Sequence, residues 1–227
     1  MNKLILNFKS KDSKKIKDPK NFLGGKGANL SEMGRMGLPV PPGFTISTKV
    51  CEIFYKDKKK LNSKLISQIK KEIKTIEKDV LKKFGDLKNP LLLSVRSGAR
   101  VSMPGMMDTI LNLGLNDKTV VALANKTSNG RFAKDSYRRF IQMYGNVVMG
   151  VESYNFEELI ENYKLTKGVL LDTDLDEEDW DGLIGDFKNV VKEKTKKEFP
   201  QDVNQQLLGA ISAVFLSWES NRAKVYR

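Results

Sequence analysis

The 227-residue sequence contains no histidine and only one cysteine, Cys51. Without an imidazole, the chain cannot use histidine as a general base, a metal ligand or a phosphoryl acceptor. A single thiol excludes an intrachain disulfide and a zinc site built from several thiolates. These absences remove the disulfide-stapled and zinc-ribbon classes from consideration.

Long apolar segments are also missing. No apolar run approaches the ~20 residues that are needed to span a bilayer. The amino terminus, MNKLILNFKSKDSKK, has too short an apolar stretch for a signal peptide and is not arginine-rich. We therefore expect a cytoplasmic protein with no membrane partner. Its length suffices for one substantial core or two small lobes.

Positive charge is in excess, with 40 Lys and Arg against 28 Asp and Glu. Many of the lysines fall in residues 56–88, where aromatic residues are few. One interpretation is attraction to anions, including nucleotides or nucleic acid. The other is a solvated lysine-rich surface, which we favour over a nucleic-acid groove because no stacking platform accompanies the lysines.

Hydrophobic periodicity predicts strands in the first half of the chain and helices in the second. The predicted strands are 3–8, 44–46 and the apolar run 91–95, which we interpret as buried. Residues 11–20 are predicted to be a polar loop. Helices are predicted from Gly27 to about Gly37, after Ser47 or Thr48, and over 61–84, 117–127, 132–149, 156–163, 177–199 and 203–218.

Two glycine-rich elements each carry a basic residue. The first, residues 23–30 (LGGKGANL), places Lys26 among glycines just before a predicted helix. Glycines allow a close backbone approach to a ligand, and a helix N-terminus offers N–H donors, so Lys26 is a candidate phosphate contact. The alternative is a glycine turn with a solvated lysine, because the Walker spacing is missing.

The second element, residues 91–116 (LLLSVRSGARVSMPGMMDTILNLGLN), runs from the predicted strand into a loop that begins near Arg96. An arginine at the mouth of a sheet is costly unless it is paired or contacts an anion. We interpret Arg96, beside Ser97 and Gly98, as a bidentate phosphate contact. A structural ion pair with an acidic neighbour is the alternative.

Two further charged clusters are given structural interpretations. Arg138 and Arg139, with Tyr137, are assigned to a solvated or ion-paired helix face. The acidic residues of 172–181 lack the glycine and the terminal glutamate of a calcium loop. We therefore predict a loop and a helix start there, with no protein metal site.

Residues 24–48 (GGKGANLSEMGRMGLPVPPGFTIST) and 94–117 (SVRSGARVSMPGMMDTILNLGLND) resemble the amino-terminal nucleotide-binding domain of the pyruvate phosphate dikinases. The resemblance extends from the first strand to the closing residues 217–227 (SWESNRAKVYR). Its most specific part is MPGMMDTILNLG. Phosphoenolpyruvate synthases and glucan water dikinases share the GGK and VRSG themes but carry a different loop after the arginine.

The resemblance implies that Lys26 and Arg96 contact ATP and that the loop at 103–109 covers its phosphates. Gly105 would allow close backbone approach, and Met107 and Thr109 would offer N–H groups. Asp108 would hold the loop or lie near a magnesium ion. The side chains of Met106 and Met107 are interpreted as ordinary core filler.

The resemblance also implies an α+β fold, in which an ATP-grasp-type amino-terminal lobe of mixed sheet and helices is interrupted by an all-helical insert. The implied boundaries are a lobe at 1–115, an insert at 116–201 and a return to the lobe at 202–227. The second lobe, which in the family supplies acidic metal ligands and closes over ATP, is not in this sequence.

Members of the family convert ATP, phosphate and pyruvate to AMP, diphosphate and phosphoenolpyruvate through a phosphorylated histidine on a separate domain. The resemblance therefore implies a portion of a phosphotransferase that binds ATP or AMP with Mg²⁺. Its partners would be the missing carrier-histidine and pyruvate-binding domains, within an enzyme that is homo-oligomeric at full length. We expect no catalytic residue and no turnover in these residues alone.

Three alternatives stay open at this point. The chain could be a non-catalytic nucleotide-binding module or one piece of a split dikinase. It could also be a basic nucleic-acid-binding protein, which is the least favoured because no stacking platform is evident.

Overall fold

A computed structural model describes residues 3–98 and 109–225 of the chain. The chain divides into two compact units, each assembled from separate segments. The first unit comprises residues 1–81, 96–109 and 211–227, and the second comprises 82–95 and 110–210. The fold class is α+β, as the sequence predicts.

The first unit combines a two-stranded sheet with helices. Strand β1 (Ile5–Asn7) pairs antiparallel with β2 (Phe44–Ile46), so that Leu6 lies opposite Thr45. A 3₁₀ helix (Lys11–Lys15) follows β1. The helices of this part are α1 (Pro19–Arg35), α2 (Thr48–Lys56) and α3 (Ser63–Val80).

The apolar positions of α3 lie on one face of the helix, as the sequence predicts. Leu65, Ile69, Ile73 and Ile76 are buried, and α3 contacts β1. Near the other end of the chain, Phe215 packs against Phe54 of α2 with ring centroids 5.2 Å apart. The hydroxyl of Tyr55 donates a hydrogen bond to the carbonyl oxygen of Phe215 at 2.9 Å.

The second unit is mainly helical. Strands β3 (Lys83–Phe84) and β4 (Pro90–Leu91) pair in parallel, and β5 (Leu93–Arg96) and β6 (Thr109–Leu113) form another two-stranded sheet. The helices are α4 (Thr119–Thr127), α5 (Gly130–Val147), α6 (Tyr154–Lys167) and α7 (Glu177–Thr195). Helix α8 (Val203–Ser217) is divided between the two units, and α9 (Asn221–Val225) belongs to the first.

An aromatic core holds the second unit together. Helix α7 packs extensively on α5 and also contacts α6. The side chains of Trp180, Tyr137, Phe140, Phe156 and Phe187 are fully buried. Large rings of this kind each remove roughly 150–250 Å² from water and dominate the energetics of a small core.

Several predicted boundaries are wrong, and each has a local cause. Helix α3 ends at Val80 instead of residue 84, because Leu81 adopts a left-handed conformation with φ of 54°. Helix α7 ends before Lys196, which has φ of 59°, although the pattern predicted helix to Phe199. Phe199 is nevertheless buried, because it packs against aromatic rings of α5.

Helix starts also differ from the prediction. Helix α1 begins at Pro19, inside the predicted loop, because proline suits the first helical position and Asp18 accepts a hydrogen bond from the Asn21 N–H. Helix α6 begins at Tyr154, two residues before the predicted start at 156. Helix α4 begins at Thr119, later than the predicted 117, and the side-chain oxygen of Asn116 accepts from the Thr119 N–H at 2.8 Å.

The predicted buried strand at 91–95 is wrong in extent and in burial. Leu92 separates β4 from β5, and β5 alternates between half-buried and exposed positions. The apolar residues of this run therefore belong to two short strands, β4 and β5, which pair with different partner strands.

In the ranges 3–98 and 109–225, no helix is long and apolar enough to cross a membrane. The two compact units do not by themselves identify functional lobes, so the domain boundaries at 115 and 201 stay a prediction.

Gln206 of α8 fixes the chain after β6 within the second unit. Its side chain is fully buried; the carboxamide oxygen accepts from the Gly114 N–H at 3.1 Å. The amide nitrogen donates to the carbonyl oxygens of Leu115 and Pro200, both at 2.9 Å. One side chain thus satisfies three buried backbone groups.

We expect Gln206→Ala to lower the free energy of unfolding by about 3 kcal/mol or more, because it leaves three buried backbone groups without partners. The exposed neighbour Gln205 is the matched control, and Gln205→Ala should change stability by less than about 0.5 kcal/mol. Urea unfolding followed by circular dichroism measures both. Equal stability of the two variants would contradict this assignment.

Candidate functional site

Helix α1 is interrupted at Gly24, the first glycine of the GGKG segment. Gly24 has φ of 71° and ψ of 165°, whereas the residues around it are helical. A Cβ atom added there would lie 1.1 Å from the carbonyl oxygen of Gly98. The Gly24 and Gly98 backbones are therefore in direct contact. Both glycine-rich elements that the sequence singles out meet at this point of the first unit.

Helical geometry resumes immediately after the interruption. Lys26 and Gly27 therefore lie in the first turn of the resumed helix, where a helix concentrates N–H donors and partial positive charge. Gly27 rests against β2, because a Cβ at Gly27 would lie 2.7 Å from Cγ2 of Thr45. Further along, Gly34 approaches the carbonyl oxygen of Phe8 in the same way. These close contacts hold the helix on the β1–β2 sheet.

The Lys26 side chain is exposed. Within the described part of the chain, it makes no ion pair and no hydrogen bond. The ammonium group is therefore available to a ligand at the start of the resumed helix. Exposure also fits the alternative of a solvated lysine, so the phosphate contact stays a prediction.

Arg96 is the last residue of β5 and is exposed. No carboxylate among residues 3–98 and 109–225 pairs with its guanidinium group, so the structural ion-pair alternative finds no partner there. Ser97 beside it is buried, with 6% of its surface exposed. The chain thus turns inward directly after Arg96 and reaches the Gly24 contact two residues later.

The loop that the resemblance assigns to phosphate covering falls largely outside the described residues. Gly105, Met107 and Asp108 lie in that part of the chain. Thr109 is described: it is the first residue of β6, and its side chain is half-buried. The structure thus brings Lys26 and Arg96 to the two sides of one backbone contact, and it places Thr109 at the start of a strand.

Positive charge is concentrated in the unit that contains this contact. The first unit carries 24 Lys and Arg against 10 Asp and Glu, whereas the second carries 16 against 18. The lysines of α3 have no carboxylate partner in the described ranges. The excess charge predicted from composition is therefore concentrated in the first unit, which contains Lys26 and Arg96.

Arg138 is a structural residue of the second unit. Only 5% of its side chain is exposed, and its guanidinium carbon lies 4.4 Å from the centroid of Trp180. It is ion-paired with Asp135 at 2.9 Å and with Asp172 at 3.2 Å. Burial lowers the pKa of Arg138, and the adjacent carboxylates of Asp135 and Asp172 act in the opposite direction and raise it. The ion-paired interpretation is confirmed, and the solvated one is wrong for this residue.

The acidic cluster at 172–181 forms a loop and a helix start, as predicted. The carboxylate of Asp176 accepts from the N–H groups of Glu178 and Asp179 and so caps α7. Lys167 pairs with Asp176 at 2.6 Å, and this contact is the main reason that the pKa of Asp176 is lowered to about 2. In the described ranges, no group of His, Cys, Asp and Glu is arranged to hold a metal ion.

Sequence reasoning missed the two residues that bring the motifs together. Gly24 and Gly98 were seen only as members of glycine-rich segments, and nothing in the sequence indicated that they touch. It also missed Arg131, which donates to the carbonyl oxygens of Leu175 at 2.6 Å and Asp172 at 2.8 Å. For the glycine contact, the available signal was the glycine run around Lys26 and the single Gly98 near Arg96.

Comparison with known proteins identifies the family of the chain. The family described as the pyruvate phosphate dikinase AMP/ATP-binding domain matches the chain over residues 20–83 and 58–227. Because these matches cover most of the sequence, the chain belongs to the pyruvate phosphate dikinase AMP/ATP-binding domain family.

Relatives from distant organisms show the same relationship. The chain is 54% identical over 209 residues to a pyruvate, phosphate dikinase of Clostridium symbiosum, covering 92% of the chain and 24% of the relative. It is 52% identical over 225 residues to a chloroplastic pyruvate, phosphate dikinase of Flaveria pringlei, covering 99% and 23%. It is 49% identical over 227 residues to a pyruvate, phosphate dikinase of Rhizobium meliloti (strain 1021), and the match covers 100% of the chain and 25% of the relative. The chain spans about a quarter of the length of these relatives.

We expect Arg138→Ala to destabilise the second unit by about 3 kcal/mol, because it removes one partner from a buried ion-pair network. Arg139 is the matched control, since it is exposed and shares Asp135 as a partner. Arg139→Ala should cost less than about 1 kcal/mol. Thermal melts report the difference, and similar melting temperatures for the two variants would contradict the structural role of Arg138.

Proposed function

We propose that the chain is the ATP-binding portion of a pyruvate phosphate dikinase. The whole enzyme would convert ATP, phosphate and pyruvate to AMP, diphosphate and phosphoenolpyruvate. The observation that carries the proposal is the backbone contact between Gly24 and Gly98, which joins the segments of Lys26 and Arg96 in the unit with most of the positive charge; neither cation has a carboxylate partner among the described residues. Family membership supports ATP or AMP as the ligand.

In the proposed site, Lys26 contacts phosphate oxygens as a point charge, and Arg96 contacts them through its planar fork of N–H donors. Among the described residues, neither cation is paired with a carboxylate, so no such ion pair has to break before the cation binds phosphate. Backbone N–H groups in the first turn of the resumed helix add donors that need no reorganisation. Catalysis of phosphoryl transfer is mostly this kind of positioning and charge neutralisation.

We assign the remaining contacts by family resemblance. Gly105 would let the loop approach the phosphates, Met107 and Thr109 would donate backbone N–H groups, and Asp108 would hold the loop. These assignments complete the proposed set, together with Lys26 and Arg96.

Magnesium enters the proposal with the nucleotide, as MgATP. Bound Mg²⁺ neutralises phosphate charge, as it does in phosphoryl-transfer sites generally. The described residues do not supply a cluster of carboxylates that would hold the ion, and Lys26 and Arg96 are cations. The contacts of this chain are therefore proposed to be with phosphate oxygens, and the metal ligands are proposed to lie elsewhere.

We further propose that residues 1–115 and 202–227 form the amino-terminal ATP-grasp lobe and that 116–201 form a helical insert. The partners of this part would be the carrier-histidine and pyruvate-binding domains, in an enzyme that is oligomeric at full length. A non-catalytic nucleotide-binding module, or one piece of a split dikinase, is the second candidate, because the sequence has no histidine to carry the phosphoryl group.

We expect Lys26→Ala and Arg96→Ala each to weaken MgATP binding by about 10- to 150-fold. Each change removes a charge-assisted phosphate contact that contributes roughly 1.5–3 kcal/mol. Titration calorimetry measures affinity, and thermal melts measure folding. Both side chains are exposed, so the melts should stay close to that of the wild type.

Lys78→Ala is the matched control for the charge change. Lys78 belongs to the first unit, lies on α3 and has no carboxylate partner in the described ranges. A general electrostatic attraction would make all three variants lose affinity equally. That result, or a large fall in melting temperature with unchanged affinity, would contradict the assigned contacts.

The isolated 227-residue chain should show no pyruvate-dependent conversion of ATP to AMP, because it contains no histidine to accept the phosphoryl group. Product formation is followed by chromatography of nucleotides. A preparation of Lys26→Ala, purified in parallel, distinguishes contaminating kinases from the chain itself. Turnover that persists through repurification and disappears in that variant would overturn the expectation.

A further inference from the structure

We infer that Gly24 and Gly98 are positioning residues that lock the two cation-bearing segments into one oligophosphate site. This inference rests on the proposed function, because it names how that site is held together. Neither glycine is proposed to bind the ligand through a side chain. Their role is to fix the distance between Lys26 and Arg96.

The contact leaves no room for a side chain at position 24. A Cβ at Gly24 would lie 1.1 Å from the carbonyl oxygen and 2.3 Å from the carbonyl carbon of Gly98. Both are backbone atoms, so no rotamer change can relieve the overlap, and the segments would have to move apart. The φ of 71° at Gly24 also falls in the region that favours glycine.

The constraint is one-sided. A Cβ at Gly98 would lie 3.4 Å from the carbonyl oxygen of Leu23 and 3.9 Å from the Gly27 nitrogen, which are ordinary van der Waals distances. Alanine is therefore compatible with position 98 and incompatible with position 24. This asymmetry is specific to the geometry and separates it from a general preference for glycine in loops.

Each cation is two residues from the contact: Lys26 follows Gly24, and Arg96 precedes Gly98. Two residues of extended chain span at most about 7 Å, so both Cα atoms are tethered close to the junction. The cations come from separate segments, so that one anionic ligand at the junction could contact both of them. The proposed function supplies this ligand as the phosphate chain of ATP.

A second residue supplies a control for backbone strain. Gly37 has φ of 78°, similar to that of Gly24, but a Cβ added there would meet nothing within 4 Å. Gly37→Ala thus places alanine at a similar positive φ without the overlap. A larger loss in Gly24→Ala than in Gly37→Ala therefore reports the crowding and the backbone conformation at position 24, and not a positive φ alone.

The test is titration of the 227-residue chain with tripolyphosphate and with MgATP, followed by amide NMR and calorimetry. We expect Gly24→Ala to lose about tenfold or more in affinity for tripolyphosphate, the equivalent of one charge-assisted contact. Gly37→Ala should stay within about twofold of the wild type. Wild-type affinity in Gly24→Ala, or equal losses in Gly24→Ala and Gly37→Ala, would overturn the inference.

A measurement that does not depend on the folding of Gly24→Ala uses the wild type and Arg96→Ala. If the two segments form one site, the amides of Gly25, Lys26 and Gly27 should titrate about tenfold more weakly in Arg96→Ala. Unchanged titration of these amides would show that the segments bind independently and would overturn the positioning role. A wild-type chain that binds neither tripolyphosphate nor MgATP would instead contradict the proposed function.

Discussion

The close approach of the Gly24 and Gly98 backbones is the constraint on which the candidate site depends. It interrupts α1 just before Lys26, and it fixes the chain just after Arg96. Contacts at Gly27 and Gly34 then hold the resumed helix on the β1–β2 sheet. The site is therefore built from backbone packing, and the two cations are placed by glycines that contribute no side chain.

The two units use their positive charges differently. An unpaired cation at a protein surface is well solvated, and it loses little when it exchanges water for a phosphate oxygen. Arg138 shows the opposite use of charge: its guanidinium group is buried against Trp180 and held by two carboxylates. The chain thus separates cations that stabilise the second unit from cations that remain available in the first. The imbalance of 24 basic to 10 acidic residues in the first unit follows the same division.

The family resemblance predicted the fold class, and hydrophobic periodicity, which is a strong signal over many residues, predicted the main helices and the buried face of α3. The sequence did not predict where α3 and α7 end, since Leu81 and Lys196 adopt left-handed conformations that their residue types do not favour. It predicted Lys26 and Arg96 from neighbouring glycines and from family resemblance. It could not predict the Gly24–Gly98 contact or the burial of Arg138, because both depend on residues that are distant in sequence.

The most direct measurement is a crystal structure of the chain with a non-hydrolysable MgATP analogue. The account predicts that oxygens of the phosphate chain lie within hydrogen-bond distance of both Lys26 Nζ and the Arg96 guanidinium group, with the Gly24–Gly98 contact intact. Phosphates bound among the α3 lysines, with Lys26 and Arg96 still facing solvent, would contradict it.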